Sequence, residues 1–179
     1  MIKWHFTPNL YSKAEVNEIN RIAQTFIDET YKDRPGAGKQ ADVKVARFEG
    51  ELQDALSRMT RVVNQLNEEY FGFDIFNHVP YSLNYNSYRE GDAYNFHMDA
   101  SSPDAANDVK LTAVLNVSSE PFVGGEFEFF LNGELARIKE MDDAGTLLVF
   151  PSPLFHRVKP VQMGCRKTIS VWYTGPKWR

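Results

Sequence analysis

The run Tyr94-Asn95-Phe96-His97-Met98-Asp99 sets an imidazole and a carboxylate two residues apart inside a stretch that reads as β-strand. Side chains at i and i+2 of a strand leave by the same face. A His and an Asp on one face can hold a cation through a ring nitrogen and an oxygen. They are two members of the two-His, one-carboxylate set that leaves positions open on non-haem iron. In a chain with four His and 24 acidic residues such a pair also arises by chance, so its companions decide its meaning.

Around this run the hydrophobic period is two from about Ile75 onward. Strands are expected over 81–88, 94–97, 110–117, 126–131, 134–139, 146–150, 157–161 and 166–174, with Asn132-Gly133 as a two-residue hairpin turn. Upstream the period is helical. Ser12-Lys13-Ala14-Glu15 has the capping-box pattern, and Val16, Ile19, Ile22, Ala23, Phe26 and Ile27 follow at helical spacing to about Tyr31. A short strand is expected over 43–48, then a second helix from Leu52 to Tyr70. Between them the 32–40 segment, with Pro35, Gly36 and Gly38, reads as a surface loop: a plain connector or a flap over a bound substrate. Two helices followed by about eight short strands suggest an α+β domain in which helices brace a β-sandwich or barrel.

Composition bounds the class. The 179 residues, 42% hydrophobic and 25% charged, suit a single domain over 1–179, mainly helical support over 1–75 and a core over 76–176. A net charge of −4 without a long basic run argues against a nucleic-acid partner. Cys165 is the sole cysteine, which rules out an internal disulfide and a Cys-based zinc motif. It reads as a small apolar residue beside a turn. The start, Met1 to Phe6, lacks the apolar run of a signal peptide, and no stretch is long enough to span a bilayer. The expected location is cytoplasmic, with no membrane partner.

For a third ligand, His5 and His78 read as ordinary surface or capping residues. His156 opens a strand expected to run beside that of His97, although a His at a strand start is as readily structural. Ten residues further, Arg166 begins a strand in which Ile169, Val171 and Tyr173 alternate with Thr168, Ser170 and Trp172. A turn at Gly164 is expected to fold this strand back along that of His156 and bring the guanidinium into the metal's cavity. A buried cation needs an anion, and a small dicarboxylate matches the planar fork of Arg. The alternative is a rim Arg paired with an acidic loop.

In this order and spacing, His97-x-Asp99, His156 and Arg166 resemble the signature of the 2-oxoglutarate and Fe(II)-dependent dioxygenases. The run Tyr88 to Asp99 is similar to the Tyr…Gly…Tyr-x-x-His-x-Asp segment of prolyl 4-hydroxylases. The segments 122–127, 150–161 and 164–166 resemble those of bacterial PKHD-type hydroxylases, and Arg166 through Tyr173 resembles the last strand of the oxygen-sensing prolyl hydroxylases. The resemblance covers about 83–173 and implies a double-stranded β-helix, or jelly roll, core braced by the N-terminal helices. It also implies His97, Asp99 and His156 as iron ligands, Arg166 paired with the distal carboxylate of 2-oxoglutarate, Tyr88 reaching the same carboxylate, and Trp172 lining the cavity near the iron. Where the oxygen-sensing enzymes have a Tyr before Leu-Asn, this chain has Val114, so that second hydroxyl contact does not carry over.

The activity so implied hydroxylates an unactivated C–H bond using O2, Fe(II) and 2-oxoglutarate, with ascorbate as a further expected cofactor, and releases succinate and carbon dioxide. The expected substrate is a prolyl residue in a peptide or protein. The same chemistry on a free amino acid or small metabolite, and a non-catalytic metal-binding jelly-roll module, stand as alternatives. The nucleic-acid repair branch fits less well, because Lys167, Thr168 and Trp172 occupy the places of its further motif. Tyr94, Phe96, Phe127, Phe129 and Trp172 are expected as apolar walls, with Tyr94 and Trp172 in the substrate pocket.

Overall fold

The computed structural model describes residues 4–30, 38–76, 80–100 and 106–178. Its first helix, α1 (Lys13–Thr25), begins on a complete capping box: Glu15 N–H donates to Ser12 Oγ and Ser12 N–H donates to the Glu15 carboxylate. It ends six residues earlier than the apolar spacing suggests. Phe26 and Ile27 leave the helix to join a strand edge, where Arg47 N–H donates to Phe26 O and Asp28 N–H to Val45 O. The second expected helix is two, α2 (Gly50–Ala55) and α3 (Ser57–Leu66), broken at Leu56. A π turn over Asn67–Phe71 follows, tied off by the Asn67 amide on the backbone of Phe73. Among the described residues no helix is long and apolar enough to cross a membrane.

The strands, in chain order, are β1 (His5–Thr7), β2 (Lys39–Gln40), β3 (Asp42–Arg47), β4 (Ser82–Tyr88), β5 (Ala93–His97), β6 (Asn107–Asn116) and β7 (Val123–Gly124). They continue as β8 (Phe127–Leu131), β9 (Glu134–Arg137), β10 (Leu147–Pro151), β11 (His156–Val158), β12 (Val161–Met163) and β13 (Arg166–Pro176). A six-stranded antiparallel sheet has the order β1-β10-β6-β13-β4-β3, and a five-stranded one the order β2-β5-β11-β8-β9. Asn132 and Gly133, both at positive φ (53° and 86°), make the β8–β9 hairpin turn, as Asn-Gly requires.

Two cores result. On the outer face of the larger sheet, Leu83, Leu115, Ile169 and Val171 pack against Ile19, Leu52, Met59 and Val63 of the helices, all buried. Between the sheets lies a second cluster that includes Val114, Leu148 and Phe150 from the larger sheet and Phe127, Phe129 and Val158 from the smaller. This is an α+β jelly roll with helical bracing, as expected.

Two expectations about connections fail. β13 does not fold back along β11. It pairs with β4 and β6 in the larger sheet, so Arg166 reaches the interior from the facing sheet. The strand expected over 157–161 ends at Val158. Pro160 has no N–H to donate, and its carbonyl accepts from Gly125 N–H, after which Val161 starts the separate β12–β7 pair.

Candidate active site

The three expected ligands meet at one point. Across the β5–β11 pair, His97 and His156 are direct partners, which brings their ring centroids to 4.1 Å. Asp99 lies just past the end of β5. Its position is set less by the pleat of a strand than by its own N–H donating to Ser152 O at 2.9 Å. Its two carboxylate oxygens stand 3.5 Å from His97 Nε2 and 3.6 Å from His156 Nε2. One ligand atom from each of the three residues lies within 4.8 Å of the others, so the set can hold a metal ion. The mixture of two imidazole nitrogens and one carboxylate suits non-haem Fe(II).

Both imidazoles are fixed in the tautomer a metal needs. His97 Nδ1–H donates to Asn95 O and His156 Nδ1–H to Leu154 O, each at 2.8 Å and each to a carbonyl two residues upstream in its own segment. Nε2 is left with its lone pair directed at Asp99. Burial pushes the His156 imidazole down to about 4, so it is neutral at physiological pH. Burial alone would push the Asp99 carboxyl up, but the hydrogen-bond donors around it, the Trp172 side chain among them, more than offset it, and it stays below its ordinary range. Thr112 Oγ1 donates to Asp99 Oδ2 at 3.1 Å and sits 3.0 Å from Ser152 Oγ.

At the other end of the same cavity, of about 150 Å3, lies Arg166. It is 1% exposed, and its Nη2 has no hydrogen-bond partner among the described residues. Arg166 and Tyr88 are direct partners across β13 and β4, with the guanidinium 5.7 Å from the ring centre. Burial pushes the Tyr88 phenol up, against the opposing charge of Arg166, so its hydroxyl remains a donor. Gly125 makes room for this: a Cβ there would lie 2.9 Å from Arg166 Cδ, and its φ of 65° favours glycine. An orphaned buried cation beside a phenolic donor fits a carboxylate, so the cavity has places for both a metal and a small dicarboxylate. The rim position for Arg166 is thereby excluded.

Of the five expected aromatic walls, three line the cavity. Tyr94 stacks on His97 (3.5 Å, 20°), Phe127 stacks on His156 (5.4 Å, 17°), and Trp172 lines the cavity and hydrogen-bonds Asp99. Phe96 does not. It stacks on Phe155 at 5.1 Å under the Arg157 guanidinium. Phe129 lies behind His156 in the core, edge-on to Phe150. As the neighbour of His97 on the strand, Phe96 leaves by the opposite face, and a β-bulge is what brings Tyr94 to the inner side. The register runs His156↔His97 and Val158↔Tyr94, so two steps on β11 face three on β5, and Tyr94 and His97 both turn inward.

Sequence reasoning missed Thr112 and Ser152, whose role depends on pairing distant strands, and a polar wall made by Asn84, Asn86, Thr168, Ser170 and Lys39. The alternation Asn84-Tyr85-Asn86 was a usable signal for the wall, since period two puts both Asn on one face. His5 belongs to β1 and stacks on Tyr70, away from the ligand cluster. His78, and 32–37 of the expected 32–40 flap, lie outside the described residues.

The comparisons with known proteins agree with this geometry. A family model described as the 2OG-Fe(II) oxygenase superfamily matches residues 83–174. A PKHD-type hydroxylase of Stenotrophomonas maltophilia is 31% identical over 94 residues, covering 49% of this chain and only 40% of that protein's length. One from Shewanella oneidensis is 26% identical over 176 residues, covering 92% of this chain and 75% of the relative. A crystal structure of a Pseudomonas putida prolyl-4-hydroxylase superposes with a TM-score of 0.68 at 20% identity, covering 98% of this chain and 94% of that one. A prolyl hydroxylase from Trichoplax adhaerens, in complex with a hypoxia inducible factor peptide fragment, gives 0.68 at 18%, covering 96% and 83%. At these identities the structural likeness speaks for the fold, and the family match, over just over half its length, speaks for descent: this chain belongs to the 2OG-Fe(II) oxygenase superfamily.

Proposed function

We propose that the protein is a 2-oxoglutarate- and Fe(II)-dependent hydroxylase acting on a prolyl residue of a peptide or protein, with 76–176 as the working core and 1–75 as its helical support. The observation that carries this reading is one cavity containing both a two-imidazole, one-carboxylate cluster and a buried guanidinium with an unpaired N–H. His97, Asp99 and His156 would hold Fe(II), and Arg166 with Tyr88 would hold the distal carboxylate of 2-oxoglutarate. When bound, these groups supply the oxidative decarboxylation to succinate and carbon dioxide that hydroxylates an unactivated C–H bond with O2.

The chain's own residues do the positioning. Asn95 O and Leu154 O fix the two imidazoles before any ion arrives, and Thr112 and Trp172 hold the Asp99 carboxylate. Arg166 pairs with its anion away from water, where a charge-assisted bidentate contact is strongest. Phe127, Val158, Tyr94 and Trp172 wall the cavity and exclude water from it. The prolyl assignment is supported by the fold shared with prolyl hydroxylases, one of them holding a peptide. The test is a proline-containing peptide library incubated with enzyme, Fe(II), 2-oxoglutarate and ascorbate, followed by mass spectrometry. A gain of one oxygen on proline, with matching succinate, is expected. Succinate coupled to oxidation of a free amino acid alone would move the substrate to the small-molecule alternative. No metal-dependent 2-oxoglutarate binding would favour a non-catalytic module.

A further inference from the structure

Outside the catalytic cavity, the opposite face of the same strands carries another recess, of about 410 Å3, between α1 and the β3–β4–β13 end of the larger sheet. Its floor follows from the two-residue period. Where Tyr88 and Arg166 point inward, their neighbours Ser87, Arg89 and Lys167 leave by the outer face. The register sets Asp42, Ser87 and Lys167 in one row across β3, β4 and β13, with Lys44 beside Tyr85 in the next. The α1 wall is pinned in place. Tyr85 Oη donates to Asn20 Oδ1 at 2.7 Å, and Asn20 Nδ2 donates to Val117 O and to Ser119 Oγ, each at 2.9 Å.

The charge of this recess is unbalanced. Acidic residues outnumber basic ones in the chain by 24 to 20, yet Lys44, Arg89 and Lys167 line the recess with no carboxylate partner among the described residues. Lys44 and Lys167 are half-buried, where an unpaired charge costs more than at an open surface. Arg21 lines it too, but Glu18 at 2.6 Å and Glu51 at 3.4 Å take up its charge. Asp42 is the one acid among the described lining residues, so three positive charges against one negative leave a surplus of two. Ser87, 9% exposed, adds a hydroxyl with no hydrogen-bond partner among the described residues.

We propose that this recess binds a phosphoryl dianion, with Lys44, Arg89 and Lys167 pairing with its oxygens and the Ser87 hydroxyl donating to one of them. A phosphoryl group carries a charge of about −1.5 to −2 at neutral pH and three strong acceptor oxygens. It therefore matches the surplus charge and gathers the acceptors for these donors on one compact centre. A single carboxylate would leave one charge over, and a dicarboxylate spreads its oxygens over two centres. The group has two possible sources, free inorganic phosphate and a phosphorylated side chain of a peptide. The sheet lies between this recess and the metal cluster, so the proposal stands apart from the oxygenase reading above.

The test uses the full chain stripped of metal, so that phosphate has no ion to coordinate. Titration calorimetry is run at about pH 8, above the second ionisation of a phosphoryl group, with ionic strength held by chloride. The probes are inorganic phosphate, an end-blocked tripeptide with a central phosphoserine, its unphosphorylated form, and succinate. Phosphate or the phosphopeptide is expected to bind one to one and about tenfold or more tightly than succinate, and the tighter of the two identifies the source. Lys44→Gln, Arg89→Gln and Lys167→Gln should each weaken that binding by about fivefold or more, and Ser87→Ala by less. Asp42→Asn should strengthen it, which damage to the fold would not do. Arg166→Met should leave it within about twofold; a larger loss there would put the anion in the inner cavity and overturn the proposal. So would the absence of saturable phosphoryl binding in the wild type, succinate binding as tightly, or binding unmoved by all three cation substitutions. No titration contains metal or 2-oxoglutarate, so failure here leaves the oxygenase reading as it stands.

Discussion

Replacing Arg166 with Met should make the empty protein more stable and the loaded protein less so. Arg166 is 1% exposed, and its Nη2 lacks a partner among the described residues. Leaving a buried donor unsatisfied costs about 1–3 kcal/mol, and more when it is charged. The Tyr88 ring 5.7 Å away returns part of this, about 0.5–2 kcal/mol for a cation over an aromatic face. The difference leaves the guanidinium destabilising the ligand-free fold by on the order of 1 kcal/mol. Met has similar reach and no charge, so the unfolding midpoint of the empty variant should rise by about 2–4 °C. Burial already pushes the Arg166 guanidinium toward its neutral form, which has the same sign. With ligand the order reverses. Wild type with Mn(II) and 2-oxoglutarate at a hundred times its Kd should gain about 2.7 kcal/mol, or about 5–10 °C. Losing a buried charge pair costs about 2–5 kcal/mol, or about 30- to 5000-fold in affinity, so at the same ligand concentration the variant should keep at most about a third of that gain. Thermal unfolding of both proteins with and without ligand gives the four numbers. A variant that is less stable when empty and still gains fully from 2-oxoglutarate would refute the assignment of Arg166.

The metal cluster makes a sharper demand: His97→Ala, Asp99→Ala and His156→Ala should each abolish 2-oxoglutarate turnover while the far-UV circular dichroism stays native, and persistent succinate production in any of them would sink the ligand assignment. Thr112→Val keeps the shape but loses the donor to Asp99. It should weaken Mn(II) binding by about 10- to 150-fold, the equivalent of about 1.5–3 kcal/mol for a bond to a charged acceptor, whereas Thr112→Ser should not. At the surface, the Arg58 hydrogen bond and then the Ser12 cap hold the Glu15 carboxyl down at about 2 from an ordinary 4.5. Because the folded value is depressed, the stabilisation is full above about pH 4.5 and is lost as pH falls through about 2. Melting curves of wild type and Glu15→Gln should therefore be separated at pH 6 and converge toward pH 2; a gap that persists at pH 2 would contradict this.

Much of the site could be read from residue order because the chemistry is concentrated in few side chains. His97, Asp99, His156, Arg166 and Tyr88 lie on or beside strands whose period-two pattern is plain, and that pattern also put Thr168, Ser170 and Trp172 on one face of β13. What could not be read depends on how strands pair. The bulge in β5 inserts one residue between Tyr94 and His97 relative to β11, so both turn inward although strict alternation from His97 would send Tyr94 outward. Thr112 reaches Asp99, and Ser152 reaches Thr112, only because β6 lies beside β10, a pairing that no local signal encodes. The helix ends failed for a different reason. Phe26 and Ile27 satisfy helical spacing, but their backbones go to β3, so tertiary hydrogen bonding won over local pattern.

The two Nδ1–H bonds to Asn95 O and Leu154 O have a consequence for which ion the protein carries. Each imidazole is tied by its own segment, so the cluster is assembled before metal arrives and asks little of it. A rigid N2O site of this kind ranks divalent ions by their intrinsic affinity, in which zinc, nickel and copper all stand above ferrous iron. Choice of metal is thus delegated to supply. The ion found in purified protein would report the metal pool it met during expression, and iron would enter through abundance where it wins.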